Sequence, residues 1–187
     1  MLFRSLFLAA ALAAPTLAYA QNLEGPAYVI DGDTIVVNRT HIRLHGIDAP
    51  EADQTWSVGV QTYACGTAAT NALRDLLRGQ MLSCQGMGLD PYGRTLAACH
   101  LPNGTDIERW MVSRGYAIAY RHFSMDYAPD EDAAKAEHRG IWAGSFEEPW
   151  LWRRDHRATG YIGHEHHSSG YVHVPYFHWG TVVSAQN

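Results

Sequence analysis

Residues 27–51 read AYVIDGDTIVVNRTHIRLHGIDAPE. Ala27-Tyr28-Val29-Ile30 runs into a polar turn at Asp31-Gly32-Asp33. Thr34-Ile35-Val36-Val37 follows, then a turn at Asn38-Arg39-Thr40, then His41 to Ile47. β-Branched residues between turn-formers predict a meander of short strands. Asp48-Ala49-Pro50-Glu51 ends it, because proline cannot donate to a ladder.

Outward from this stretch, residues 52–60 read as a loop. Residues 67–78 read as a helix, with Ala68, Ala69, Ala72, Leu73, Leu76 and Leu77 recurring on one face and Gly79 just past its end. Met81–Gln85 and Thr95–Leu101 read as the strands of a hairpin with a wide loop, Gly86 to Gly93. Thr105-Asp106-Ile107-Glu108 fits a capping box that opens a helix to Ser113, closed by Gly115. Tyr116–Tyr120 reads as extended. A last helix is predicted from Pro129 to Gly140, with Ile141 and Trp142 docking on the core. Strands, helix, strands, helix, helix suits an α+β domain on a five-stranded barrel with about three flanking helices.

The ends of the chain differ from this middle. Arg4, an apolar run from Leu6 to Ala13, and Ala18-Tyr19-Ala20 form the pattern of a signal peptide over residues 1–20. The run is too short to span a bilayer of roughly 30 Å. The expectation is therefore an exported product, periplasmic or secreted after cleavage near Ala20, with no stable membrane insertion. From Asp155 the composition turns to glycine, serine, aromatics and six of the eleven histidines, including His164, His166 and His167. Residues 155–187 read as a solvated tail, with metal binding the sharper alternative. Residues 21–154 are left as the single domain.

Net charge is −5, so bulk charge does not point to nucleic acid. Any such activity needs a local cluster of arginines. Asp33 opens one strand and Asp48 closes the next, so an antiparallel pair can set them side by side. Two adjacent carboxylates repel unless a cation neutralises them, and a hard divalent ion does so well. Asp-Gly-Asp is also ordinary turn chemistry. Arg43 lies on the same strand as Asp48. Glu51 follows across Pro50, where a carboxylate can orient and deprotonate water. Arg94 stands where the wide loop rejoins its strand, and a guanidinium fork matches phosphate oxygens. Two arginines, one cation and one carboxylate suit phosphodiester hydrolysis.

Three stretches, Val29 to Thr34, Arg43 to Glu51 and Asp90-Pro91-Tyr92-Gly93-Arg94, resemble the staphylococcal nuclease (thermonuclease) family in order and separation. The resemblance runs from about Tyr28 to Trp142. It implies an OB-fold barrel with three helices and one catalytic Ca²⁺. It further implies Asp33, Asp48 and the Ala49 carbonyl as metal ligands. Glu51 would be the general base or the group that positions the water, and Arg43 and Arg94 the phosphate clamp. Tyr92 and Tyr120 fit the substrate pocket, while His122 stands in place of a second tyrosine. The expected partner is DNA or RNA, acted on by a monomer. A catalytically silent OB module that binds single strands or protein is the alternative, but silent members are expected to lose site residues that are all present here. A third reading is an envelope metal binder acting through the histidine-rich tail.

Cys65, Cys84 and Cys99 are an odd set. Cys84 and Cys99 fall on the two strands of the hairpin. A disulfide between them would be worth about 3 kcal/mol in the chain-entropy model, and export favours it over two buried thiols. Cys65 would be the spare.

Overall fold

The structure, a computed structural model, describes residues 22–158. The expected signal peptide and most of the histidine-rich tail lie outside them. The strands are β1 (Asn22–Gly25), β2 (Ala27–Val29), β3 (Thr34–Val37), β4 (Thr40–Leu44), β5 (Ile47–Asp48), β6 (Trp56–Val58) and β7 (Gln61–Tyr63). Helix α1 (Cys65–Leu77) separates these from β8 (Leu82–Leu89) and β9 (Thr95–His100). Then come α2 (Ile107–Ser113), β10 (Ile118–Ala119), α3 (Ala128–Ala136), a 3₁₀ turn over Gly140–Ala143, β11 (Ser145–Phe146) and α4 (Pro149–Ala158).

The main sheet has the order β1-β8-β9-β4-β3-β2. β1 and β2 are its two edges, yet only Pro26 separates them in the chain. The sheet therefore has to curl until its edges approach, and Asn38 Nδ2 donates to the Glu24 carbonyl at 2.7 Å across that closure. Counted as one strand bent at Pro26, β1 and β2 join β3, β4, β8 and β9 as the five strands of an OB-like half-barrel. Ile35, Val37, Ile42, Leu44, Leu82, Cys84, Ala97 and Cys99 fill it.

The β3–β4 hairpin closes through Asn38 and Arg39, both at positive φ (49° and 67°), with Val37 opposite Thr40. Two consecutive left-handed residues give the turn whose twist matches the flanking strands. Cys84 and Cys99 face each other in the β8–β9 register and form a disulfide, while Cys65 is a buried free thiol.

Several local expectations are corrected. The third strand is not continuous to Ile47. Gly46, at φ 71°, breaks it, and β5 leaves the main sheet to pair with β10. Residues 52–60 are not all loop: β6 pairs with β7 and β11 in a small second sheet. β8 runs on to Leu89 through an irregularity between Gly86 and Gly88, so the hairpin loop is shorter than expected. The capping box is shifted by one residue. Asp106, not Thr105, caps α2, accepting from the Arg109 amide at 2.7 Å. Glu108 turns into the core and accepts the Cys99 amide at 3.0 and 3.2 Å. Burial holds its carboxyl well above the usual range. α3 stops at Ala136 rather than Gly140, and α4 is a fourth helix that continues past the composition change at Asp155. No helix among the described residues is long and apolar enough to cross a membrane.

Helix α1 begins at Cys65, two residues earlier than its periodicity suggests. It buries Cys65, Gly66, Ala69, Leu73 and Leu77 as one stripe. A Cβ on Gly66 would lie 1.6 Å from the Glu51 carbonyl oxygen, so helix and loop touch backbone to backbone. Gly66→Ala is expected to cost at least roughly 3 kcal/mol, the upper range for overpacking, because no flexible side chain can yield. Urea unfolding checks it. A midpoint equal to wild type would mean that the loop carrying Glu51 shifts freely.

Candidate active site

The site is assembled where β3 begins, β4 ends and β5 starts. Thr34 is opposite Arg43 in the β3–β4 register, and the Asp33 carbonyl accepts the Leu44 amide at 2.9 Å. This puts the Asp33 side chain beside Arg43. The turn at Gly46 then brings Asp48 back to the same place. One guanidinium nitrogen, Arg43 Nη2, lies 3.0 Å from Asp33 Oδ2 and 3.0 Å from Asp48 Oδ1. Asp33 Oδ2 also accepts the Ala49 amide at 2.9 Å, and its Oδ1 accepts the Thr34 hydroxyl at 3.1 Å.

Both carboxylates are buried, Asp48 completely. Burial pushes the Asp48 carboxyl up to about 6, against the pull of Arg153 and Arg43, and the charge of Asp33 adds to the rise. Asp31 holds the Asp33 amide at 3.0 Å and is likewise pushed up to about 6, by burial and then by Asp33. Closely placed acids whose ionisation burial opposes form a site that gains from added positive charge.

Glu51 sits at the rim, a third exposed. Its backbone is locked by the fully buried Gln54, whose Oε1 accepts the Glu51 amide at 3.1 Å and whose amide donates back to the Glu51 carbonyl at 2.8 Å. Gln54 Nε2 in turn donates to the Glu147 carbonyl at 2.5 Å. Gln54 is a positioning residue that the sequence reading missed.

Arg94 reaches the same place from the start of β9. Its Nε donates to Asp90 Oδ2 at 2.6 Å and its Nη1 to the Thr34 hydroxyl at 3.3 Å. Tyr92 lies under its guanidinium at 5.6 Å. Burial pushes the Asp90 carboxyl up, but the hydrogen bonds from the Arg94 amide and side chain and from the Tyr92 amide together outweigh it and hold Asp90 below the usual carboxylate range. Arg94 is thus braced with part of its fork still facing the cleft.

These groups line one open cleft of about 1000 Å³, walled by Tyr92, Tyr120, Phe123 and Trp150. Tyr120 packs on Phe123 with ring centroids 4.9 Å apart. Asp48 and Ala49 are buried behind it. Of the residues singled out from sequence, Asp33, Asp48, Ala49 and Arg43 are in direct contact, and Glu51, Arg94, Tyr92 and Tyr120 line the cleft. The unforeseen members are Gln54, Phe123 and Arg153. Arg153 binds both Asp48 oxygens, Nη1 to Oδ1 at 3.0 Å and Nη2 to Oδ2 at 2.8 Å, and its Nη1 donates to Glu51 Oε1 at 2.7 Å.

Among the described residues no three His, Cys, Asp or Glu side chains gather as a ready ligand cage. What the site offers is a pair of hard carboxylates with backbone around them, a donor set that fits an oxygen-preferring divalent ion, while the His45 ring at the same cleft lies with its Nε2 3.9 Å from Asp126.

The family model for staphylococcal nuclease homologues matches residues 41–144, more than half of the chain. The chain belongs to the staphylococcal nuclease family. A micrococcal nuclease of Shigella flexneri is 36% identical over 143 residues, covering 67% of this chain and 77% of its own. An uncharacterized endonuclease of Escherichia coli is 31% identical over 132 residues, covering 67% and 80%. The succinoglycan biosynthesis protein ExoI of Rhizobium meliloti is 33% identical over 141 residues, covering 72% of each. Within the staphylococcal nuclease match lie Arg43, Asp48, Glu51 and Arg94. Asp33 precedes it and Arg153 follows it.

Proposed function

We propose that this protein is an exported, calcium-dependent nuclease that hydrolyses phosphodiester bonds of DNA or RNA. The observation that carries the reading is the gathering of Asp33, Arg43, Glu51 and Arg94 in one aromatic-walled cleft, with Asp48 buried directly behind it against Arg43. Its relatives named as nucleases and its family membership support the same activity.

The roles follow from what each group can do. Asp33, Asp48 and the Ala49 carbonyl supply hard oxygens for Ca²⁺, which when bound would neutralise phosphate charge and acidify water. Arg43 and Arg94 bracket the phosphate and stabilise the charge that grows on its oxygens. Glu51, fixed by Gln54 yet partly exposed, accepts the proton of the attacking water. Tyr92 and Tyr120 offer faces for sugar and base. A silent binding module needs no buried acid pair, so the enzyme reading is preferred. Export rests on the N-terminal pattern, and the Cys84–Cys99 disulfide suits an oxidising compartment. The protein is taken as a monomer with one nuclease domain over residues 21–154.

The test is digestion of DNA and RNA by protein recovered from the periplasm or medium, with Gln21 expected as its first residue. Activity is expected to be highest with Ca²⁺ and abolished in excess EGTA. Undiminished hydrolysis by a metal-free preparation would refute the calcium role, and failure on both polymers would refute the nuclease.

A further inference from the structure

Arg153 has no part in the chemistry outlined above, yet it bonds to two of the acids in the site. It comes from α4, more than a hundred residues along the chain from Asp48 and Glu51. Its fork takes both oxygens of the fully buried Asp48 and one oxygen of Glu51. Asp48 Oδ1 also accepts from Arg43, so that oxygen has two donors and Oδ2 has one. A carboxylate saturated in this way has little left for a hard cation, which must approach its oxygens to roughly 2.3–2.6 Å. A guanidinium and a dication on the same oxygens would also repel strongly in a partly buried site. The same nitrogen that holds Asp48 covers Glu51, so one side chain blocks the ligand and the base together.

The helix that carries Arg153 is suited to move. Leu151, Trp152 and Arg153 are half-buried and the next three residues are exposed. Trp150 and Arg154 bond within the segment, to Glu148 and Asp155. Arg153 is the α4 side chain that bonds to the acids of the site, beside the buried Pro149 and the half-buried Leu151 and Trp152.

We propose that Arg153 is a built-in surrogate for the cation. It neutralises Asp48 and Glu51 when no metal ion is bound, competes directly with Ca²⁺, and withdraws with α4 when the ion binds. The segment after the barrel thereby sets the calcium concentration at which the nuclease becomes competent. This inference rests on the calcium reading of the Asp33–Asp48 pair.

The experiment is calorimetric titration of Ca²⁺ into the metal-free, full-length mature protein, as wild type, Arg153→Ala and Arg153→Lys. Hydrogen exchange of residues 149–158 is followed with and without Ca²⁺. Arg153→Ala is expected to bind Ca²⁺ tighter by roughly tenfold or more, the worth of a charge-assisted hydrogen-bonded pair. Arg153→Lys keeps the charge but loses the fork, so it too is expected to bind tighter than wild type, by less; it stands in should the alanine variant misfold. In wild type, Ca²⁺ is expected to speed exchange across α4. Affinities equal to or weaker than wild type in both variants, or exchange in α4 that Ca²⁺ leaves unchanged, would overturn the proposal. Calcium binding by none of the three proteins would instead overturn the metal reading on which it stands.

Discussion

Glu51→Gln is expected to lower turnover by about 10²–10⁴, the range for a general base, while Ca²⁺ and substrate still bind. The structure makes this a clean substitution. The Glu51 backbone is held from three sides: by the Gln54 side chain, by the Gln54 amide, and by Gly66 packed on its carbonyl. Exchanging one carboxylate oxygen for an amide therefore leaves the loop in place; it removes the proton-accepting group and the charge that pairs with Arg153. Asp48, not Glu51, is the buried partner of Asp33 across Arg43. A ligand role for Glu51 predicts a different outcome: weakened Ca²⁺ affinity with turnover recovered at high calcium. Calcium titration of the variant's kcat separates the two, and near-normal turnover at saturating Ca²⁺ would move Glu51 from base to ligand.

Local chemistry made much of the barrel legible. Thr34 to Val37 are β-branched, Asn38-Arg39 can adopt two left-handed residues in a row, and β4 follows at once. The closeness of Asp33 and Asp48 was anticipated from an antiparallel edge, but its cause is different: Asp48 lies in β5, and the turn at Gly46 brings it back beside Asp33. What stayed hidden depends on distant pairings. Asn22-Leu23-Glu24-Gly25 has little strand character and is a strand because β8 offers it an edge. β6 and β7 are three residues each and exist because β11 returns to them. Glu108 looked like a capping residue because its spacing fits, but the Cys99 amide inside the barrel claims it. Arg153 was out of reach of any local pattern. The one available hint was the Arg153-Arg154 pair in a segment opened by Pro149, a residue that favours the first turn of a helix.

Arg43→Ala and Arg94→Ala are expected to lose turnover alike and stability unequally. Each removes a donor to charge developing on the phosphate, so each is expected to cost about 10²–10³ in kcat. Their surroundings differ. Arg94 is partly exposed and bonds to Asp90, which keeps the Tyr92 and Arg94 amides as donors, so its loss does not leave the Asp90 carboxylate without partners. Arg43 lies between two buried acids and is the side-chain cation that holds Asp33. Removing one partner of a fully buried ion pair costs about 3–5 kcal/mol. The cost here is below that, because Arg153 still holds Asp48 and the Ala49 amide still donates to Asp33. In EGTA the Arg43 variant is therefore expected to unfold at clearly lower urea than the Arg94 variant. Because the stranded acids are then poorly neutralised, lowering the pH toward the raised Asp48 value of about 6 is expected to narrow the gap. The sign follows from protonation: Asp48, whose carboxyl burial already raises, binds a proton more readily when folded than when unfolded, so stability rises as pH falls. Urea midpoints for both variants at pH 5.5 and 8 check this. Equal midpoints at both would mean that Arg43 does not hold the acid pair together, and a folded variant of either residue within a few-fold of wild-type turnover would remove that residue from the phosphate clamp.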